Sequence, residues 1–388
     1  MTPPPPAEAA AIGSGPAAFP PTEARRPPSL SVGFVGWLRA NLFNSWASTA
    51  VTLVLAYLII RWTLGFLDWA VFNAVWSVPG TGQAVNTSAC RDMKGVGACW
   101  ALIGEKYRFI LFGLYPFDQQ WRPAICIAIF IGLYVVSAMR RFWRRELVLV
   151  WIAALGVIGI LMWGGVFGLS YVEQERWGGL IITLILSTFG IALAFPLAVL
   201  VALGRRANNL PAVKALCVVY IELIRGVPLI SLLFMASVMF PLFLPEGMNI
   251  DKLLRAQIAI ILFAAAYLAE VIRGGLQALS RGQYEAAEAL GLSYWQKTGL
   301  IILPQALRMV IPPLVNTFIG MFKDTSLVLI IGIFDLLNAA KTAIIEPAWQ
   351  GFGTEAYLAV AAIYFVFCFA MSKYSAGLEA DFNRHRNR

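Results

Sequence analysis

Apolar runs long enough to cross a lipid bilayer recur along most of this chain, and nothing else in it restricts the fold so strongly. A hydrocarbon core of about 30 Å takes roughly 20 helical residues to cross. Eight candidate runs reach or approach that length, at residues 46–67, 122–139, 147–169, 178–203, 226–244, 254–273, 305–331 and 354–373. Each should be helical, because an open strand in lipid leaves its backbone N–H and C=O groups without partners. The composition agrees, with 59% apolar residues, 13% charged residues and a mean hydropathy of +0.73. The expected fold is an all-α integral membrane protein with eight transmembrane helices.

A formal net charge of +9 raises the question of a nucleic-acid partner, and the positions of the basic residues answer it. Arg25, Arg26 and Arg39 precede the first run, Arg140, Arg141, Arg144 and Arg145 separate the second from the third, and Arg205, Arg206 and Lys214 follow the fourth. Arg273, Arg281, Lys297 and Arg308 flank the loop after the sixth, and Arg384, Arg386 and Arg388 close the chain. These clusters fall in alternate loops, which the positive-inside rule assigns, with both termini, to the cytoplasm. Membrane orientation thus accounts for the charge, and no nucleic-acid partner is expected. Residues 1–40 read as a disordered cytoplasmic tail, since nine of the 21 prolines fall among the first thirty positions and oppose a regular helix. The same stretch lacks the apolar h-region of a secretory signal peptide.

Cys126, Cys217 and Cys368 lie in apolar runs and read as packing residues. Cys90 and Cys99 lie in the long loop between the first two runs, on the side opposite the basic clusters. A disulfide persists in such an oxidising compartment, and both a bridge and two free thiols fit the sequence there. His385, the only histidine, sits in the basic tail, so neither a histidine-based metal site nor a catalytic triad is expected. The chain divides near residue 170. Residues 41–170 read as an accessory extension with three spans and an outer loop, and residues 171–388 as a working module of five closely spaced spans. Within the extension, 107–117 is apolar but too short to span, which suits an interfacial or re-entrant segment.

Between the sixth and seventh runs the apolar pattern gives way to a short, organised stretch. Ser280 precedes Gln283 by three positions, a capping-box spacing that opens a helix through Glu285, Ala286, Ala287, Glu288 and Ala289. Gly291 stops it, as a residue that enters the left-handed region without steric cost. Ser293 and Gln296 repeat the capping-box spacing for a second helix, expected to end before Pro304. Small side chains beside two carboxylates would let another protein approach closely and meet the helix with basic residues. The spacing Glu285-Ala286-Ala287, three residues, Gly291, nine residues, Ile301, one residue, Leu303-Pro304 resembles the EAA loop of bacterial ABC-importer permeases. Stretches 220–229, 266–275 and 322–327 resemble the polar amino-acid permeases of the histidine and glutamine type. The long amino-terminal extension, with the run that begins at Arg225, is most similar to the M-type permease of the general L-amino-acid transporter. Leu232 departs from the glutamine that many such permeases carry four residues after Pro228.

The resemblance implies a five-helix type I ABC importer permease core, with the EAA loop at 281–304. It implies a subunit that moves L-amino acids from periplasm to cytoplasm by alternating access, in the bacterial inner membrane. Its implied partners are a second permease subunit, two copies of a cytoplasmic ATPase and a periplasmic amino-acid-binding protein. Glu285, Ala286, Ala287 and Gly291 would then couple to the ATPase. No phosphate-binding loop of the G-x-x-x-x-G-K-[ST] type occurs in the chain, since Gln296 stands where the nearest approach needs its second glycine. ATP and Mg are therefore expected in the partner, with no cofactor bound by this chain and no enzymatic activity of its own.

Charges inside apolar runs supply the remaining candidates. Lys323 and Asp324 sit in an otherwise apolar stretch, where an ionised group at the membrane centre costs roughly 2.5 kcal/mol or more. A zwitterionic amino acid offers each a counter-charge, so the pair, with Thr317, is a candidate substrate pathway; mutual pairing at the end of the span fits equally. Glu222 with Arg225, and Glu270 with Arg273, read as two i,i+3 ion pairs at the inner gate. Pro196 and the pair Pro312 and Pro313 are expected to kink their helices. The competing readings are an ion-coupled secondary amino-acid transporter, which often shows an inverted repeat, and a non-transporting scaffold. The one internal echo, Glu-x-x-Arg-Gly at 222 and 270, falls on one membrane face and counts against inversion.

Overall fold

The computed structural model describes residues 33–80, 86–248 and 250–386, with side chains described to Asp381. Two compact units are present, Met1–Phe72 and Asn73–Arg388. In the first, α1 (Gly33–Asn41) precedes α2 (Trp46–Leu67). The tail expected to be disordered through residue 40 is therefore helical from Gly33, and its residues 1–32 lie outside the described residues. Ser45 caps α2, its hydroxyl accepting the N–H of Ser48 at 3.2 Å, and the helix continues through a π turn to Phe72.

Among the described residues of the second unit the regular elements are all helical, apart from isolated bridges at Val75–Cys99 and Gly179–Asp335. Its helices are α3 (Ser88–Asp92), α4 (Ala101–Phe112), α5 (Trp121–Ala138), α6 (Glu146–Trp163), α7 (Leu180–Arg205), α8 (Pro211–Gly226) and α9 (Leu229–Phe234). They are followed by α10 (Lys252–Ala278), α11 (Arg281–Ala289), α12 (Tyr294–Gln296), α13 (Leu303–Met309), α14 (Ile311–Asp324), α15 (Leu336–Ala343) and α16 (Gly353–Arg386). Among the described residues seven helical stretches have the length and apolarity of a membrane span, and an eighth arises if one bent pair counts as a span.

That pair corrects the straight span expected at 226–244. Pro211–Gly226 and Leu229–Phe243 meet at 102°, because Pro228 lacks an N–H and forces Val227 into extended backbone (φ −113°, ψ 134°). The span expected from 305 starts instead at Ile311. Pro312 and Pro313 occupy the first turn of α14, where a missing N–H is harmless, so they begin that helix rather than kink it. Pro196 does lie inside α7.

α7 and α10 form the spine of the unit. Ala194, Ala198 and Ala202 recur every four residues on one stripe of α7 and are completely buried, in a cluster with Ala264, Ala265 and Ala269 of α10. Small side chains bring the two backbones close: a Cβ at Gly190 would stand 3.0 Å from Ile260 Cγ2. The division seen in packing falls between Phe72 and Asn73, and 73–170 shares one compact unit with the rest of the chain. The segment 107–117, expected to be interfacial or re-entrant, packs into this unit, with α4 laid against α15 and with Ile110 and Tyr115 buried.

Candidate functional site

The two ends of α7 carry different chemistry. At its amino-terminal end the Cys90–Cys99 disulfide is formed, with a Cα–Cα distance of 5.5 Å. The buried carboxylate of Glu355 accepts the N–H of Cys99 at 3.0 Å, and Lys106 pairs with Glu346 at 2.6 Å. Asp335, fully buried, caps α15 by accepting the N–H groups of Asn338 (2.9 Å) and Leu337 (3.1 Å). Burial pushes the Asp335 carboxyl up to about 6, against the pull of those two N–H donors. Arg122 is likewise buried; its guanidinium donates to the Ser170 carbonyl at 3.0 Å and to the Tyr115 hydroxyl at 3.2 Å.

At the carboxy-terminal end of α7 stands the loop that follows α10. Ser280 precedes α11 in extended backbone, but its side chain makes no capping hydrogen bond, so the first expected capping box does not form. Gln283 bonds instead to Gln305 on α13 at 3.1 Å. The stop at Gly291 (φ +70°) is a Schellman motif. The Gly291 N–H donates to the Glu288 carbonyl at 2.9 Å and the Leu292 N–H to the Ala287 carbonyl at 3.3 Å. The second capping box is complete, with Ser293 and Gln296 bonding reciprocally at 3.0 and 3.4 Å. The helix it opens does not end before Pro304. It passes through a π segment, Lys297–Ile302, and Pro304 sits in the first turn of α13, where it is tolerated.

α11 divides its residues between two faces. Ala287 is buried, whereas Glu285, Ala286, Glu288 and Ala289 are exposed. The Glu288 carboxylate is engaged by Lys297 across the glycine turn, which ties the two helices together. Glu285 makes no such pair among the described residues. Beside it lie exposed apolar groups, Leu290, Tyr294, Trp295 and Leu300, between 51% and 74% accessible.

The expected ion pairs take a different form. Arg273 does pair with Glu270, at 2.7 Å, but among the described residues Glu222 pairs with Arg205 and not with Arg225. Arg205, at the end of α7, joins both carboxylates, at 2.7 Å to Glu270 and 3.0 Å to Glu222. Arg225 stands 3.7 Å from Glu270, with its guanidinium over the Tyr267 ring. Glu270 thus gathers three arginines from α7, α8 and α10. The pattern of residues within one helix could not show Arg205, whose partners lie 17 and 65 residues away; its place in a basic cluster was the only signal.

Lys323 and Asp324 close α14, Lys323 exposed and Asp324 half-buried, with no ion pair between them among the described residues. Thr317 lies two turns before Asp324, hence on the same face, and its hydroxyl donates to the Pro313 carbonyl at 2.8 Å. No group of three or more His, Cys, Asp or Glu that could hold a metal ion occurs among the described residues.

A multi-span helical bundle with a capped, carboxylate-bearing hairpin after α10 defines a polytopic membrane component. Residues 194–380 match the family described as the binding-protein-dependent transport system inner membrane component. The inner membrane amino-acid ABC transporter permease protein YhdY of Escherichia coli is 49% identical over 356 residues, covering 90% of this chain and 93% of that protein. The glutamate/glutamine/aspartate/asparagine transport system permease protein BztC of Rhodobacter capsulatus is 38% identical, covering 93% and 97%. The probable glutamine ABC transporter permease protein GlnP of Bacillus subtilis, at 35% identity, covers 52% of this chain and 91% of itself. The chain belongs to the family of inner membrane components of binding-protein-dependent transport systems, as an ABC transporter permease.

Proposed function

We propose that this permease imports L-amino acids from periplasm to cytoplasm by alternating access, driven by a separate ATPase that docks on α11. The relatives named for amino-acid transport support the cargo class. The single observation that carries the docking reading is the exposed face of α11. There Glu285 has no partner among the described residues, exposed Ala286 and Ala289 permit close approach, and Leu290 and Trp295 supply apolar area. Glu285, Ala286 and Gly291 serve this contact from outside, and buried Ala287 seats the helix on its own subunit. ATP and Mg belong to the ATPase, of which two copies act on this chain and a second permease subunit, and a periplasmic amino-acid-binding protein delivers the cargo. Both termini lie in the cytoplasm of a bacterial inner-membrane protein.

Glu270, with Arg205, Glu222, Arg225 and Arg273, holds the inner gate by bracing α7, α8 and α10. Thr317, Lys323 and Asp324 line the substrate pathway, where carboxylate and ammonium of a zwitterion meet opposite charges. Residues 41–170 are an accessory extension to a core from 171 to 388; the shorter relative that covers about half of this chain and most of itself supports that division. The family description matches residues 194–380, which lie within that core. Replacing Glu285 with Lys puts a cation where basic partner residues are expected. Co-purified ATPase should fall at least tenfold while membrane insertion is unchanged. Undiminished co-purification and uptake would remove α11 from the docking surface.

A further inference from the structure

Arg205 and Arg206 are adjacent at the carboxy-terminal end of α7, and their side chains reach in different directions. Arg205 binds Glu270 and Glu222 in the charge network. Arg206 donates to the Leu276 carbonyl at 2.8 Å and to the Tyr284 hydroxyl at 2.9 Å, with its guanidinium over the Tyr284 ring. Tyr284 belongs to α11, and its hydroxyl donates to the same Leu276 carbonyl at 2.9 Å. Leu276 is in the last turn of α10, where carbonyls have no partner within the helix, so one orphan acceptor gathers α7, α10 and α11 at a point. A cation at that helix end is favoured by the helix dipole as well.

The turn beyond this point has little slack. A Cβ at Gly204 would stand 2.6 Å from Cys217 Sγ of α8, and one at Gly275 would stand 2.7 Å from both the Ala306 carbonyl oxygen and Val310 Cγ1. Displacement of α11 therefore has a short, polar route to the end of α7. We propose that Arg205 and Arg206 form a two-armed relay. Arg206 takes up movement of α11 through Tyr284, and Arg205 delivers it to Glu270 and Glu222. Tyr284 is then a positioning residue, half-buried and turned toward α10, distinct from the exposed docking residues on the same helix. The relay rests on the docking reading, since its input is movement imposed on α11.

The test compares Tyr284→Phe, which removes one oxygen and keeps the ring, with wild type and Arg205→Gln in the assembled transporter reconstituted in liposomes. ATP hydrolysis and labelled amino-acid uptake are measured together. Tyr284→Phe should bind the ATPase as wild type does, yet move at least fivefold less amino acid per ATP. Arg205→Gln should reproduce that loss, and the conservative Arg206→Lys, which keeps a donor to the Leu276 carbonyl, should recover part of what Arg206→Gln loses. Unchanged uptake per ATP in Tyr284→Phe overturns the relay, and so does loss of ATPase binding in that variant, which would assign Tyr284 to docking. Failure of the docking reading gives a different result, undiminished ATPase co-purification and uptake in Glu285→Lys; that removes the relay's input and overturns it as well.

Discussion

The two ends of α7 are held by opposite means. At the amino-terminal end most contacts are covalent or buried, namely the Cys90–Cys99 bridge, the fully buried Asp335 cap and the Glu355 carboxylate on the Cys99 N–H, with the partly exposed Lys106–Glu346 pair beside them. At the carboxy-terminal end they are ion pairs of graded exposure, from Glu270 at 15% and Arg205 at 20% to Glu222 at 61% of their side chains accessible. Exposed ion pairs contribute little, typically 0–1 kcal/mol, and exchange partners readily, whereas breaking a buried polar contact leaves groups unsatisfied at a cost of about 1–3 kcal/mol each. The difference teaches where movement belongs. On the proposed reading the amino-terminal end stays fixed, and the end that carries α11 is the one that rearranges.

Three sets of substitutions would break or sharpen that contrast. The largest effect is expected from Cys90→Ser with Cys99→Ser. Loss of a native disulfide costs about 2–4 kcal/mol, so thermal unfolding in detergent should shift down by several degrees while uptake per ATP stays normal. A drop in uptake per ATP without a thermal shift would place this end in the moving part.

Asp335→Asn comes next, on the order of 3 kcal/mol for a carboxyl raised from its ordinary 3.8 to about 6. A raised folded pKa means that the folded state holds the proton longer than the unfolded chain. Stability is therefore full below about pH 4 and is lost as pH rises through about 6. Asparagine keeps an oxygen to cap α15 but does not titrate. Its melting temperature should stay flat over that window where wild type falls, and parallel profiles would exclude the buried carboxylate as the cause. The smallest effect is expected from Lys323→Ala and Asp324→Ala. Each should lower transport efficiency about tenfold, near 1.4 kcal/mol, with no change in melting temperature. Normal kinetics in both would take them out of the pathway.

Local features were legible in the sequence and contacts between distant segments were not. The helix stop at Gly291 and the capping box at Ser293 and Gln296 depend on neighbours within five residues, and they form as the spacing requires. The same spacing failed at Ser280, where Gln283 found a partner 22 residues away on α13. Hydropathy located the spans but not the 102° bend at Pro228, since an apolar average is blind to a single missing N–H. The Glu270–Arg273 pair was readable as an i,i+3 neighbour. Arg205 was not, because its partners come from other helices. The sequence left the Cys90–Cys99 pairing open, and in the fold the two Cα atoms stand 5.5 Å apart.

The central claim, ATP-driven import through this permease, is tested most directly by amino-acid uptake into proteoliposomes that contain the whole transporter. The account predicts uptake only when ATP and the binding protein are both supplied, with no response to a sodium or proton gradient. Uptake driven by such a gradient alone, without ATP or binding protein, would contradict it.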